Sequence, residues 1–356
     1  MKKFKVGLVG VHRGASYAQI FANNPKTEIT AFCDIKVVLD EAGKSFGVKD
    51  SQLFNNYDDF INADFDIAVI GSPIPNHAEQ VVKAMKNKKH VLSEVTASNT
   101  IEGCQQIVEA VRNSTRKYML AENCVYMHFV RQWKRMVKAG KIGKIIYAEA
   151  EYVHHIPFLV VDPITKEKKW RAERPPIYYC THSLGPILYI LNDYIVRCTC
   201  MGKSENIMQN VGVGAIDYQV ALFETSSGAV IKVLRSQVLP RIPGLGHYQL
   251  HGTKGFIENG RKGYASEGSS YFEGEDETAK SLICSYSDPD APEEAKLGGH
   301  GSSEYYLVRD FLESIENDTT PPIDVVKAMD MTVPGIISHE AAMKGNVWLD
   351  VPRLIG

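Results

Sequence analysis

The sequence predicts an α/β protein of two domains, an N-terminal doubly wound parallel sheet followed by an α+β domain with an open, mostly antiparallel sheet. Three observations predict it. Short apolar runs alternate with amphipathic stretches from residue 4 to 122, the pattern of parallel βαβ units. A glycine-bearing turn, Gly10 to Ala15, follows the first run. Beyond residue 140 the runs lengthen and alternate apolar with polar, as half-buried antiparallel strands do. The length of 356 residues suits two domains, placed at 1–123 and 124–356.

In the first domain the strands are expected at 5–9, 28–33, 67–71, 90–92 and 118–121, with helices around 17–23, 37–46, 76–87 and 101–113. In the second, a helix at 127–139 precedes strands at 145–154, 218–224 and 230–239. Ser226-Ser227-Gly228 joins the last two as a hairpin turn. Helices at 304–316 and 325–344 close the chain, and the mixed-charge segment 288–296 with its two prolines reads as a surface loop.

Composition narrows the function. With 44% hydrophobic and 23% charged residues the chain has a globular composition. A formal charge of −2 gives no field to gather nucleic acid or an anionic membrane. No run approaches the roughly 20 apolar residues that cross a bilayer, and the short apolar run after Met1-Lys2-Lys3 reads as a strand and not as a leader. Seven cysteines without a CxxC pair point to reduced thiols and a cytoplasmic location, and Cys198 and Cys200 are expected on opposite faces of a strand.

Gly10-Val11-His12-Arg13-Gly14-Ala15 fits the GxGxxG/A fingerprint of a Rossmann domain except for His12 at the second glycine. Gly10, His12, Arg13 and Gly14 are therefore the expected phosphate contacts, Gly14 supplying the close backbone approach that His12 denies. Asp34 ends the second strand 24 residues after Gly10, where a carboxylate hydrogen-bonds ribose hydroxyls and repels a 2′-phosphate. This favours NAD over NADP, with Lys36 leaving room for NADP; a turn role is the plainer alternative for Asp34. Ser72, Asn76 and His77 lie in the loop after the next strand, at the sheet edge where a dinucleotide lies. Asn76 alternatively caps a helix, and His77 is then a first-turn residue.

The run from Asp66 through Gly71-Ser72-Pro73, Asn76-His77 and His90-Val91-Leu92-Ser93-Glu94 resembles the Gfo/Idh/MocA oxidoreductases over essentially the whole chain. The resemblance implies NAD(P), a sugar or cyclitol substrate, and a homo-oligomer, dimer or tetramer, formed through the open sheet. Where most of these dehydrogenases carry Glu-Lys-Pro, this chain has Glu94-Val95-Thr96-Ala97 and lacks their catalytic lysine. That string looks like the family's NAD-dependent glycosidase branch, typified by α-N-acetylgalactosaminidase. Glu122-Asn123-Cys124-Val125-Tyr126, Trp170-Arg171, Tyr179-Cys180-Thr181-His182, His251-Gly252-Thr253-Lys254-Gly255 and Gly298-Gly299-His300-Gly301 agree with that branch. Cys180 replaces its usual proline. The resemblance implies active-site roles for Tyr179 and His182; Glu94 and Asn123 are read as cofactor contacts, and Glu94, Trp170, Arg171 and His300 as sugar contacts.

The chemistry assigns the rest. Oxidising a secondary alcohol with NAD needs a base for the hydroxyl proton. His182 fits near neutrality, with Tyr179 as orienting acid/base. A ketone at C3 of a pyranoside acidifies the C2 proton, so a second base, Tyr126, with Glu94 and Glu122 as partners, permits expulsion of the C1 oxygen. A net sugar or cyclitol dehydrogenase uses the same binding residues, and a sensor that keeps the nucleotide site without catalysis is the competing class. No HExxH or CxxC spacing favours a metal, and each histidine or tyrosine has a structural reading as a packed, hydrogen-bonded residue.

Overall fold

The computed structural model describes residues 3–205, 207, 216–263 and 266–355. In the first half the apolar runs become β1 (Phe4–Val9), β2 (Thr27–Cys33), β3 (Leu53–Phe54), β4 (Ile67–Ile70), β5 (His90–Ser93) and β6 (Tyr118–Leu120). Between and beside them run α1 (Val11–Asn23), α2 (Lys36–Phe46), α3 (Tyr57–Ile61), α4 (His77–Lys86) and α5 (Ile101–Arg112). The six strands are parallel in the order β3-β2-β1-β4-β5-β6. Every residue of β4 and β5 is buried, which is why these runs are apolar without alternation. The strand order reverses between β1 and β4, and the crevice beyond their carboxyl ends is where such a sheet takes a ligand. β3 was not expected, since two residues carry no periodicity.

The second half contains β7 (Ile145–Val153), β8 (Ile195–Lys203), β9 (Tyr218–Thr225), β10 (Val230–Ser236), β11 (Leu245–Gly252), β12 (Gly255–Glu258), β13 (Gly268–Phe272), β14 (Lys280–Leu282) and β15 (Leu349–Asp350). They form a nine-stranded sheet, β14-β13-β12-β11-β7-β10-β9-β8-β15, antiparallel except where β10 runs parallel to β7. The helices here are α6 (His128–Lys138), α7 (Thr181–Leu191), α8 (Ser303–Glu316) and α9 (Val325–Met343). The β9–β10 hairpin turns at Gly228, whose φ of 85° suits glycine. Helix α7 was missed, because Gly185 and Pro186 lie inside it and read as a break. The expected loop at 288–296 runs into a short 3₁₀ turn, Glu293–Leu297.

The chain folds as two compact units, Met1–Tyr126 with Ser287–Met329 and Leu354–Gly356, and Met127–Tyr286 with Asp330–Arg353. The division differs from 1–123 and 124–356 because the later segment returns to the first unit. There Ile323 gives its carbonyl to the Leu120 N–H of edge strand β6 at 3.0 Å. Ion pairs Lys26–Glu316 at 2.7 Å and Lys117–Asp318 at 2.6 Å lie along the same segment. Cys198 and Cys200 are both buried on β8. Residues two apart on a strand share a face, so the expected opposite orientation is corrected. Among the described residues, no helix is long and apolar enough to cross a membrane.

Candidate functional site

In the first unit the site grows from the turns at the carboxyl ends of β1 and β4. Gly10 sits in the left-handed region with φ 75°, and a Cβ placed on it would lie 2.3 Å from the Gly71 carbonyl carbon and the Ser72 nitrogen. The two turns thus run backbone against backbone, as only glycine allows. Helix α1 starts directly after Gly10, which offers no side-chain cap, and has no acid in its first turn, so its end attracts negative charge. Asp34 accepts the Val11 N–H at 2.7 Å through Oδ2 and the Ile35 N–H at 2.7 Å through Oδ1. Its carboxylate is fixed at the tip of β2 beside the glycine turn. A helix start whose N-cap glycine brings no side chain, a tight glycine turn and a carboxylate placed beside them fit the pyrophosphate and ribose of a dinucleotide.

His12 is exposed on the first turn of α1, so its side chain leaves the cradle to Gly10 and buried Gly14. Arg13 directs Nη2 to Oε1 of buried Glu94 at 2.7 Å. Glu94 also accepts the Val95 N–H at 3.1 Å. Tyr17, one turn beyond Arg13, joins them; burial pushes its phenol well above the ordinary range and the Glu94 charge adds to this. Ser72 donates its hydroxyl to Gln80 at 2.6 Å. Asn76 is the N-cap residue of α4 and His77 its first residue, but the Asn76 side chain makes no capping hydrogen bond. His77 is 1% exposed, with Nδ1 2.8 Å from the Thr96 carbonyl and Nε2 2.8 Å from the Ser72 carbonyl. Burial holds the imidazole below its usual range against the pull of both carbonyls. His77 therefore ties the Ser72 turn to the irregular chain after Glu94.

A second cluster in this unit joins Asn123, His300 and Glu304. Asn123 Nδ2 donates to Glu304 Oε1 at 3.0 Å and meets His300 Nδ1 at 3.0 Å. Glu304 Oε2 accepts the His300 N–H at 3.1 Å, and the side chain of Glu304 is fully buried. Burial raises the Glu304 carboxyl, but the hydrogen bond and charge of His300, with Asn123, outweigh this and leave it below the usual carboxylate range. The i,i+4 spacing of His300 and Glu304 was visible in the sequence; its burial was not. Tyr126 and Glu122 are buried in this unit, Glu122 Oε1 accepting the Cys124 N–H at 3.1 Å.

In the second unit His182 lies in the first turn of α7, 5% exposed. Its carbonyl accepts the Tyr248 hydroxyl at 2.5 Å, which fixes the helix start against β11. Its ring meets Tyr179 edge-on at 4.8 Å between centroids and Tyr152 at 5.3 Å. Parallel pairing of β10 with β7 sets Arg235 opposite Tyr152. Arg235, 1% exposed, donates to the Tyr152 carbonyl at 3.0 Å, the Tyr179 carbonyl at 3.3 Å and the Ser236 carbonyl. Arg174 stacks 4.3 Å from the Tyr179 ring centre and 5.5 Å from that of Trp170, and donates to Gln237 at 2.6 Å. Arg171 lies 4.3 Å from the Trp170 ring centre.

The predicted residues thus gather within each unit: Gly10, Gly14 and Asp34, Arg13 with Glu94, and Asn123 with His300 in the first; Tyr179 with His182, and Trp170 with Arg171, in the second. Sequence reasoning missed Tyr17, Tyr152, Arg174, Arg235, Tyr248 and Glu304. Arg235 did leave a signal, a charge at an inward position of an otherwise apolar alternation.

Residues 4–122 match the model of an oxidoreductase family with an NAD-binding Rossmann fold, the Gfo/Idh/MocA family, and residues 189–355 match the C-terminal domain of glycosyl hydrolase 109. A glycosyl hydrolase family 109 protein of Solibacter usitatus is 28% identical over 96% of this chain and 86% of its own length. Another, from Shewanella pealeana, is 26% identical over 96% and 83%. Among solved structures, the myo-inositol 2-dehydrogenase of Lactobacillus plantarum superposes with a TM-score of 0.79 at 18% identity over 99% of this chain and all of that one. A levoglucosan dehydrogenase in complex with NADH and L-sorbose does so at 0.83 and 20%, with the same coverage.

Proposed function

The chain belongs to the Gfo/Idh/MocA oxidoreductases, and from that premise we propose that this NAD-dependent enzyme oxidises a sugar hydroxyl at C3 only transiently, so that a glycosidic bond can be cleaved. Bound in the Gly10 cradle, NAD supplies a reversible acceptor for the carbinol hydride. Gly10 and Gly14 leave room for the phosphates and Asp34 takes the ribose hydroxyls. Ser72 lines the cradle, shaped from behind by His77 and beside it by Asn76. His12 and Arg13 stand on the helix that faces the phosphates, and Glu94 and Asn123 belong to the cofactor side of the unit.

In this reading His182 takes the proton of the oxidised hydroxyl, with Tyr179 as orienting acid/base. Tyr126 takes the C2 proton once the neighbouring carbon is a ketone. Trp170 and Arg171 offer a stacking face and donors to the sugar, and Glu94 and His300 further hydrogen bonds.

The observation that carries the reading is Val95. A buried apolar side chain, 4% exposed, stands where a dehydrogenase of this family would hold its lysine, so the proton must be moved by other groups. The glycosyl hydrolase 109 match over residues 189–355 supports cleavage as the outcome. The test incubates the protein and NAD with p-nitrophenyl glycosides in deuterated buffer. Nitrophenol release, deuterium at C2 and no accumulating NADH are expected. Stoichiometric NADH without cleavage would instead assign a net dehydrogenase, and a protein that binds NAD but produces neither signal would be a sensor.

A further inference from the structure

Two arginines in the second unit have no part in that scheme. Arg174 is 5% and Arg235 1% exposed, and burying a guanidinium is costly unless something repays it. Arg235 is repaid by three backbone carbonyls. Arg174 is not repaid in kind. Among the described residues its side chain donates to the neutral amide of Gln237, its Nε has no partner, and no carboxylate forms an ion pair with it. Burial and the neighbouring charge of Arg235 pull it down to about 9, still a cation at neutrality.

Both guanidiniums converge on one phenol. The carbon at the centre of Arg174 is 4.3 Å, and that of Arg235 5.3 Å, from the centre of the Tyr179 ring. Tyr179 is partly buried, and two neighbouring cations favour the charged form of a phenol. Groups against the Tyr179 ring within the unit include His182 from α7, Arg174, which follows the Trp170–Glu173 turn, and Arg235 from β10, which also lies 4.5 Å from the Tyr152 ring of β7. On its own segment, Tyr178 turns instead to His339 of α9, 5.3 Å away.

We infer that Arg174 and Arg235 are positioning residues that hold the Tyr179 phenol ready to release its proton, making Tyr179 a proton acceptor in its own right and not only an orienting partner of His182. The inference rests on Tyr179 serving the proposed reaction, but its test does not. Spectrophotometric titration of the phenolate in the NAD-saturated protein, wild type minus Tyr179→Phe, isolates this tyrosine from the other 16 of the 17. It is expected to titrate at least about one unit below the ordinary tyrosine value near 10. Arg174→Met should move it up by about one unit or more, and Arg174→Lys, which keeps the charge, should return most of the shift.

A Tyr179 that titrates at or above about 10 in the wild type overturns the inference, whatever the turnover. So does a folded Arg174→Met protein with an unmoved titration. If Arg174→Met does not fold, the wild-type difference titration and Arg174→Lys decide alone. Glycoside turnover is measured separately: its absence with a low-titrating Tyr179 would remove the proposed function and leave this electrostatic assignment standing.

Discussion

Replacing Gly10 with alanine tests whether the two turns of the first unit are locked backbone to backbone. Two costs add. A side chain at φ 75° and ψ 57° pays about 1–2 kcal/mol for the left-handed conformation. The new Cβ would also stand 2.3 Å from the Gly71 carbonyl carbon and the Ser72 nitrogen. Those atoms are backbone and cannot rotate away, so the β1 and β4 turns must part, at roughly 1–3 kcal/mol. Gly47 provides the control: its φ is 67° and nothing lies within 4 Å of an added Cβ. Gly47→Ala therefore carries the conformational cost alone, and Gly10→Ala should exceed it by the cost of the displaced backbone. Denaturant unfolding gives both stabilities, and calorimetric titration with NAD gives affinities. Gly10→Ala should lower NAD affinity by about 10-fold or more, since parting the turns moves the phosphate cradle. Equal stability losses for the two variants, with NAD binding unchanged in both, would refute the locked-turn argument.

Asp34→Asn should weaken NAD by about 10-fold while weakening NADP less, because a charged acceptor and a repulsion of the 2′-phosphate are lost together; an unchanged NAD-to-NADP ratio in fluorescence titrations would contradict this. Glu304 contributes stability in a predictable pH window. Its carboxyl is held below its ordinary value by His300 and Asn123, so its contribution is fully present above the unfolded value of about 4.3 and is lost as pH falls through the lower folded value. The melting-temperature gap between wild type and Glu304→Gln should therefore be constant near neutrality and shrink in acid. A gap that is equal at both ends would show that the carboxylate charge does not carry the effect.

The sequence alone determined the alternation of strands and helices in the first unit, the glycine turn with Asp34, and the hairpin at Gly228, because each is written in local periodicity or in a backbone conformation that one residue type serves. What only the tertiary structure decided is which distant side chains share an environment. Arg235 reaches Tyr152 because β10 pairs in parallel with β7, Arg174 reaches Gln237 across the unit, and residues 287–329 return to the first unit. His77 looks like a ligand-facing histidine in the motif, yet both its nitrogens face backbone carbonyls. Strand register and burial are collective outcomes of packing, and a pattern with a period of a few residues carries no record of a partner 60 or 80 positions away, as Arg174 is from Gln237 at a separation of 63 and Arg235 from Tyr152 at 83.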